Sequence, residues 1–134
     1  RSSAASDVYK RQELVSPVDW TDDSQNINDR VRSYLDVNCG HCHSPTGNAN
    51  STGLYLHLDE TRDIHLGLYK KPVATGRGSG GLKYSIVPGK PDESILLHRM
   101  ISLDPGVMMP ESGRALSHTE AVEMVREWIL VMED

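Results

Sequence analysis

The sequence predicts an all-α domain of about three to four helices with a short extended or hairpin insertion. Three observations carry that expectation. Apolar residues recur at helical spacing in three separated stretches, Ile27–Leu35, Ile95–Met100 and Ala121–Met132. Runs of proline, glycine and small polar residues stand between them. A strand-like alternation is confined to Leu54, Leu56 and Leu58.

Residues 1–12, RSSAASDVYKRQ, have no hydrophobic period and no signal-peptide order. They read as a non-native or disordered leader, with the domain proper at 13–134. A signal peptide or an upstream domain is expected to have preceded it. Residues 13–25 form an extended lead with Pro17, Trp20 and several acids.

The first helix begins near Ser24 or Asn26, both N-cap residue types. Ile27, Val31, Tyr34 and Leu35 share one of its faces. This helix runs directly into Cys39-Gly40-His41-Cys42-His43. The next ten residues, Ser44 to Gly53, are turn chemistry. Asp59–Leu82 has no clear period and ends in Gly76-Arg77-Gly78-Ser79-Gly80-Gly81. No Gly-Lys-Ser/Thr follows those glycines and no strand-to-helix unit surrounds them, so a loop is expected in place of a phosphate cradle. His57 and His65 read as structural histidines.

Pro91-Asp92 opens the second helix, with Asp92 as its expected cap, and Ile95, Leu96, Arg99 and Met100 follow at helical spacing. Asp104-Pro105-Gly106 stops it. Ser117-His118-Thr119-Glu120 is a capping box for the last helix. Ala121, Val122, Val125, Trp128, Ile129 and Met132 give that helix a broad apolar face. Trp128 needs a packing partner, and Tyr34 on the first helix is the expected one.

The motif at residues 39–43 is C-x-x-C-H, the spacing for covalent attachment of a c-type haem. Each thiol adds to one vinyl group on an edge of the porphyrin. One helical turn between Cys39 and Cys42 brings both sulfurs to that edge, and His43 then serves as the proximal iron ligand. The chain has two cysteines, so the motif uses every thiol. A redox disulfide competes with this reading but lacks its βαβ context and leaves His43 idle. A zinc site using His41 or His43 with His57, His65 or His98 lacks a second paired knuckle. Two unrelated buried thiols complete the alternatives. On the distal side, Val107-Met108-Met109-Pro110 offers a thioether in a Pro-terminated loop between two helices, suited to a sixth ligand. The plainer role for such a Met is filling core.

Composition bounds the partners. The net charge is −5, which argues against nucleic acid and favours a redox partner protein with a basic docking surface. No apolar run reaches membrane-spanning length. Five Tyr, two Trp and no Phe make an aromatic-poor core, which suits a domain whose largest buried flat body is a cofactor, although composition alone does not require one.

The order of helix, CGHCH, wrapping loop, helix, Met-Pro loop and C-terminal helix with a Trp resembles a single-haem, class I-like cytochrome c domain over about residues 26–132. VATGRGSGGLKYSIVPGKPDESIL followed by MMPESGRAL is similar to haem domains at the C-terminal end of uncharacterised Gram-negative envelope proteins. The resemblance implies a cytochrome c fold around one covalent haem, with Met109, directly before Pro110, as the distal ligand. The family's usual Gly-Pro-x-Leu after the haem motif is represented only by Gly53-Leu54, without the proline.

The expectation is thus one-electron transfer by a haem c held through Cys39 and Cys42, with His43 and Met109 on the iron. A Met/His pair raises the potential and fills both axial positions, so the domain is expected to be an electron carrier, alone or as the redox domain of a larger oxidoreductase, and not itself an enzyme. Haem attachment outside the cytoplasm implies a periplasmic or envelope-exposed location. The rival reading is a haem enzyme or gas sensor with an open distal site, and a structural zinc or disulfide module comes third.

Overall fold

The computed structural model describes residues 15–40, 42–47, 49–73, 76–104, 107–109 and 118–132. The leader at 1–12, His41, the Pro105-Gly106 stop, Pro110 and the Ser117 capping position lie outside the described residues. Among the described residues there are four α-helices: α1 (Ile27–Asn38), α2 (Asp63–Leu66), α3 (Ile95–Ile101) and α4 (His118–Val131). Three 3₁₀ turns, Asn50–Thr52, Gly76–Ser79 and Pro91–Glu93, punctuate the loops. The all-α expectation holds at this level.

Asn26 caps α1. Its Oδ1 accepts from the backbone N–H of Asn28 at 2.8 Å and of Asp29 at 3.2 Å, which satisfies two of the helix's orphan donors. The predicted face is buried: Val31, Tyr34 and Leu35 are in the core, and Ile27 packs partly against it. α1 packs on α4, and α3 packs on α4 from the other side. Ala121, Val125, Trp128, Ile129 and Met132 are buried as predicted, with Val122 partly so. α4 is therefore the element on which α1 and α3 converge.

Two aromatic contacts add to the expected one. Trp128 and Tyr34 share the core cluster, and the Tyr34 ring also meets Trp20 edge-on at 5.1 Å. The Trp128 indole N–H donates to Asn28 Oδ1 at 3.0 Å. The lead segment supplies the Trp20 ring because it is tied back onto α1: Val18 N–H donates to Ser33 Oγ at 3.0 Å, and Arg30 Nε to the Trp20 carbonyl at 2.9 Å.

The insertion is not a hairpin. Leu68 and Ile86 form an isolated parallel bridge, and so do Tyr84 and Ser94. Parallel neighbours require a crossover and cannot be joined by a tight turn. Gly67 makes the close approach possible: at φ +109 it ends α2, and a Cβ there would lie 3.2 Å from both Leu54 Cδ1 and Ser85 Cβ. Leu54–Leu58 forms no strand, although Leu56 is buried.

Asp92 is not the cap of α3. Pro91 starts a 3₁₀ turn, and the helix begins only after Ser94, which has the extended N-cap conformation. Ser94 is fully buried; its hydroxyl accepts from Val87 N–H at 2.9 Å and donates to the Lys90 carbonyl at 3.0 Å. Asp92 is exposed and pairs with Arg126 of α4 at 2.9 Å. The core side of α3 is Ile95, Leu97 and Met100, with Leu96 only partly buried.

Candidate functional site

The site grows out of the C-terminal end of α1. Cys39 caps the helix, with its N–H bonded to the Leu35 carbonyl at 2.8 Å, and Gly40 N–H bonds to the Leu35 and Asp36 carbonyls. The winding then continues for one more turn. Cys42 N–H donates to the Cys39 carbonyl at 3.2 Å and His43 N–H to the same oxygen at 2.8 Å. Cys39, Cys42 and His43 therefore stand on a single hydrogen-bonded turn, as the spacing predicted. Neither thiol is in a disulfide.

Cys39 packs against the core cluster. Burial, with a smaller contribution from nearby Cys42, pushes its thiol up to about 12. A redox-active C-x-x-C needs the opposite, a thiol lowered toward the thiolate form.

The turn is fixed from three sides. The His43 carbonyl accepts from Leu56 N–H at 2.7 Å, and the Cys42 carbonyl from Ala49 N–H at 2.9 Å. Asp36 Oδ1 accepts from Leu58 N–H at 2.8 Å. Residues 44–47 and 49–52 form turns, as expected from their turn chemistry, closed by Gly47 N–H to the Ser44 carbonyl and Thr52 Oγ1 to the Ala49 carbonyl. The ring Nδ1 of His43 is buried.

Two residues at this site escape sequence reasoning. The first is Gly40, which is wedged between α1 and the 56–58 segment: a Cβ there would lie 2.7 Å from the Asp36 carbonyl oxygen and 3.1 Å from His57 Cα. The second is Arg32, which has no exposed surface. Its Nη2 donates to the Glu60 carbonyl at 2.7 Å and the Leu58 carbonyl at 3.2 Å, with His57 O at 3.4 Å. Burial lowers its pKa, partly offset by the carboxylates of Glu60, Asp36 and Asp29. Arg32 thus staples the 57–60 segment beside the cysteine turn. An arginine followed four residues later by an aspartate was the only available signal, and on a helix that usually marks a solvated pair.

An open surface depression of about 510 Å³ lies against the turn, lined by Asp36, Gly40, Ser44, Pro45, Thr46 and His57. His57 Nδ1 is buried, without a hydrogen-bond partner among the described residues. The other histidines named as zinc partners are placed elsewhere. His65 stacks edge-on with Tyr55 at 4.8 Å and meets Glu60 Oε1 at 3.3 Å, while the His98 ring lies under Gly80.

Met109 is carried by a different element. Its N–H donates to the Arg99 carbonyl of α3 at 2.8 Å. Val107 and Met108 N–H both bond the Asp104 carbonyl at 2.8 Å, so Met108 is drawn back toward Asp104, and Met109 follows it. Val107 is buried, while Met108 and Met109 are half-buried.

The donor set fits a c-type haem: two free thiols on one turn, the adjacent imidazole, and a thioether held in a separate loop. Among the described residues no group of three or more His, Cys, Asp or Glu is arranged to hold a bare metal ion, and no helix is long and apolar enough to cross a membrane. No protein-family model, curated protein or solved structure matches the chain.

Proposed function

We propose that this domain is a single-haem cytochrome c that carries one electron at a time, with Cys39 and Cys42 as thioether anchors, His43 as proximal ligand and Met109 as distal ligand. The observation that carries the reading is the single turn bearing both free thiols and His43 at the end of a core-packed helix. When bound, the haem supplies reversible one-electron chemistry at iron.

The chain's own part is to hold and orient. α1 fixes the azimuth of the two sulfurs through the bonds to Leu35 and Cys39. The Leu56 bond to the His43 carbonyl restrains the backbone that carries the imidazole, so its Cα would be in place before ligation. α3 fixes the loop that presents Met109. With His43 and Met109 both on the iron, no position would be left for a substrate, which favours an electron carrier over a haem enzyme or gas sensor. With a net charge of −5, docking is to a partner with a basic surface, in the periplasm or at the cell envelope.

The test is maturation of the chain in a periplasm equipped for haem attachment. A denaturing gel should retain haem stain on the protein, and Cys39→Ser with Cys42→Ser should abolish it. The reduced protein should show a six-coordinate low-spin spectrum and not bind carbon monoxide. A colourless, disulfide-bonded or zinc-loaded product overturns the reading; a haem protein that binds carbon monoxide freely points to the open-site alternative.

A further inference from the structure

Arg99 touches the 107–109 loop twice. Its Nε donates to the Val107 carbonyl at 3.0 Å, and its own carbonyl accepts from Met109 N–H at 2.8 Å. One residue of α3 thus grips the loop on both sides of Met108. The opposite face of the same guanidinium lies against the glycine-rich segment. A Cβ on Gly78 would stand 2.9 Å from Nη1 and 3.1 Å from Cζ. Gly78 is itself buried. The neighbouring His98 repeats the pattern under Gly80, where a Cβ would lie 2.5 Å from Nε2 and the backbone sits at φ +58. The segment Gly76–Ser79 packs on α3 along this line.

We propose that Arg99 is the positioning residue for the Met109 thioether, and that Gly78 is the opening through which its guanidinium reaches the ligand loop. The proposal rests on Met109 being the distal ligand. It gives a role to the glycine run, which the proposed electron transfer otherwise leaves without a purpose.

The physical reason is the weakness of the bond being protected. A neutral thioether competes for iron with water and small anions, and it wins when its approach is paid in advance by a fixed backbone. The connection from α3 to α4 runs from Ser102 to Ser117, with Met109 near its middle. Left free, such a loop holds its sulfur in many places. The Nε–Val107 bond pins the loop one turn from the helix, and the Met109 N–H bond sets the ligand's own φ-side geometry. A Cβ at position 78 crowds Nη1 and Cζ, and the shift of the guanidinium that makes room for it strains the first of those bonds.

The experiment uses the full chain matured with haem and compares Arg99→Gln, Arg99→Lys, Gly78→Ala and their double variants, with exposed Lys83→Ala as control. Three readouts are taken: reduction potential, the weak long-wavelength ferric band of methionine ligation, and the rate of cyanide binding to ferric protein. Arg99→Gln should bind cyanide at least about tenfold faster, lower the potential and weaken the band. Gly78→Ala should move all three in the same direction, and the double variant should add little to either single. Lys83→Ala should change none. Should Arg99→Gln fail to accumulate, Arg99→Lys and Gly78→Ala decide the matter, because both keep the charge. Unchanged cyanide rate and potential in those variants, in a wild type with a normal His/Met spectrum, overturn the positioning role alone. A wild type whose spectrum is indifferent to Met109→Ala overturns the ligand assignment beneath it.

Discussion

The indole N–H of Trp128 donates to Asn28 Oδ1 at 3.0 Å, joining the last helix to the first within a buried contact. The bond explains how a polar side chain near the start of α1 comes to be buried: Asn28 is 7% exposed and Trp128 1%.

Trp128→Ala should therefore destabilise the protein by about 3–5 kcal/mol, the range for large aromatic truncations in a core. Asn28→Ala leaves the indole N–H buried without an acceptor and should cost about 1–3 kcal/mol. A double-mutant cycle by urea denaturation should show a coupling energy above about 0.5 kcal/mol, since the two groups touch. Strict additivity would mean that the hydrogen bond contributes nothing.

Gly40→Ala is the sharpest steric test at the cysteine turn. The added carbon meets only backbone, the Asp36 carbonyl at 2.7 Å and His57 Cα at 3.1 Å, so neither neighbour can rotate away. The expected loss is about 1–3 kcal/mol, as for other overpacked sites, with a lower yield of haem-bearing protein. Wild-type stability and yield would show that the 56–58 segment yields easily.

Acid should weaken the insertion through Glu60. Burial works against its charge, but N–H donation from Arg62, the nearby His65 and N–H donation from Thr61 outweigh it and hold the carboxyl below its ordinary value. A depressed folded-state pKa gives stability that is present above the unfolded value and lost as pH falls through the folded one. Urea midpoints should thus drop as pH falls below about 4, and Glu60→Gln should flatten that limb. An identical acid profile in the variant would remove Glu60 as a cause.

Met109→Ala should lower the reduction potential and open the iron to carbon monoxide or cyanide, whereas Met108→Ala should change mainly stability. Their placement separates them: Met108 N–H closes a turn on Asp104, and Met109 N–H is held by Arg99. The reverse result would assign the ligand to Met108. If neither variant changes the spectrum, His98 is the next candidate, because Met100 is only 2% exposed and sits in the core.

What the sequence revealed was local, and what it hid depends on distant partners. Asn26, the Val31–Tyr34–Leu35 face and the apolar side of α4 are all set by periodicity and capping within a few residues. The turn from Cys39 to His43 was legible for the same reason, since its hydrogen bonds join residues three and four apart. Asp92 misled because Pro91 diverts the chain into a 3₁₀ turn, and the entry to α3 is then decided by Ser94, whose hydroxyl reaches back to Val87 and Lys90. Residues 59–82 resisted reading because their order comes from elsewhere: from Arg32 on α1, from the Leu68–Ile86 bridge, and from α3 beneath the glycines. None of those partners leaves a periodic trace in the segment itself.

The packing of Cys39 against the core has a consequence in time. The core it leans on is completed by α4, about ninety residues further along the chain. Contacts between the two ends of a chain carry the closure cost of the loop between them. Until α4 docks that core is unfinished, and once it has docked Cys39 is partly buried against it. The chemistry proposed for the two thiols is thus coupled to folding. A chain that folds before it meets its haem should be a poorer acceptor than one still being delivered, and variants that slow the docking of α4 should lengthen the interval in which attachment succeeds.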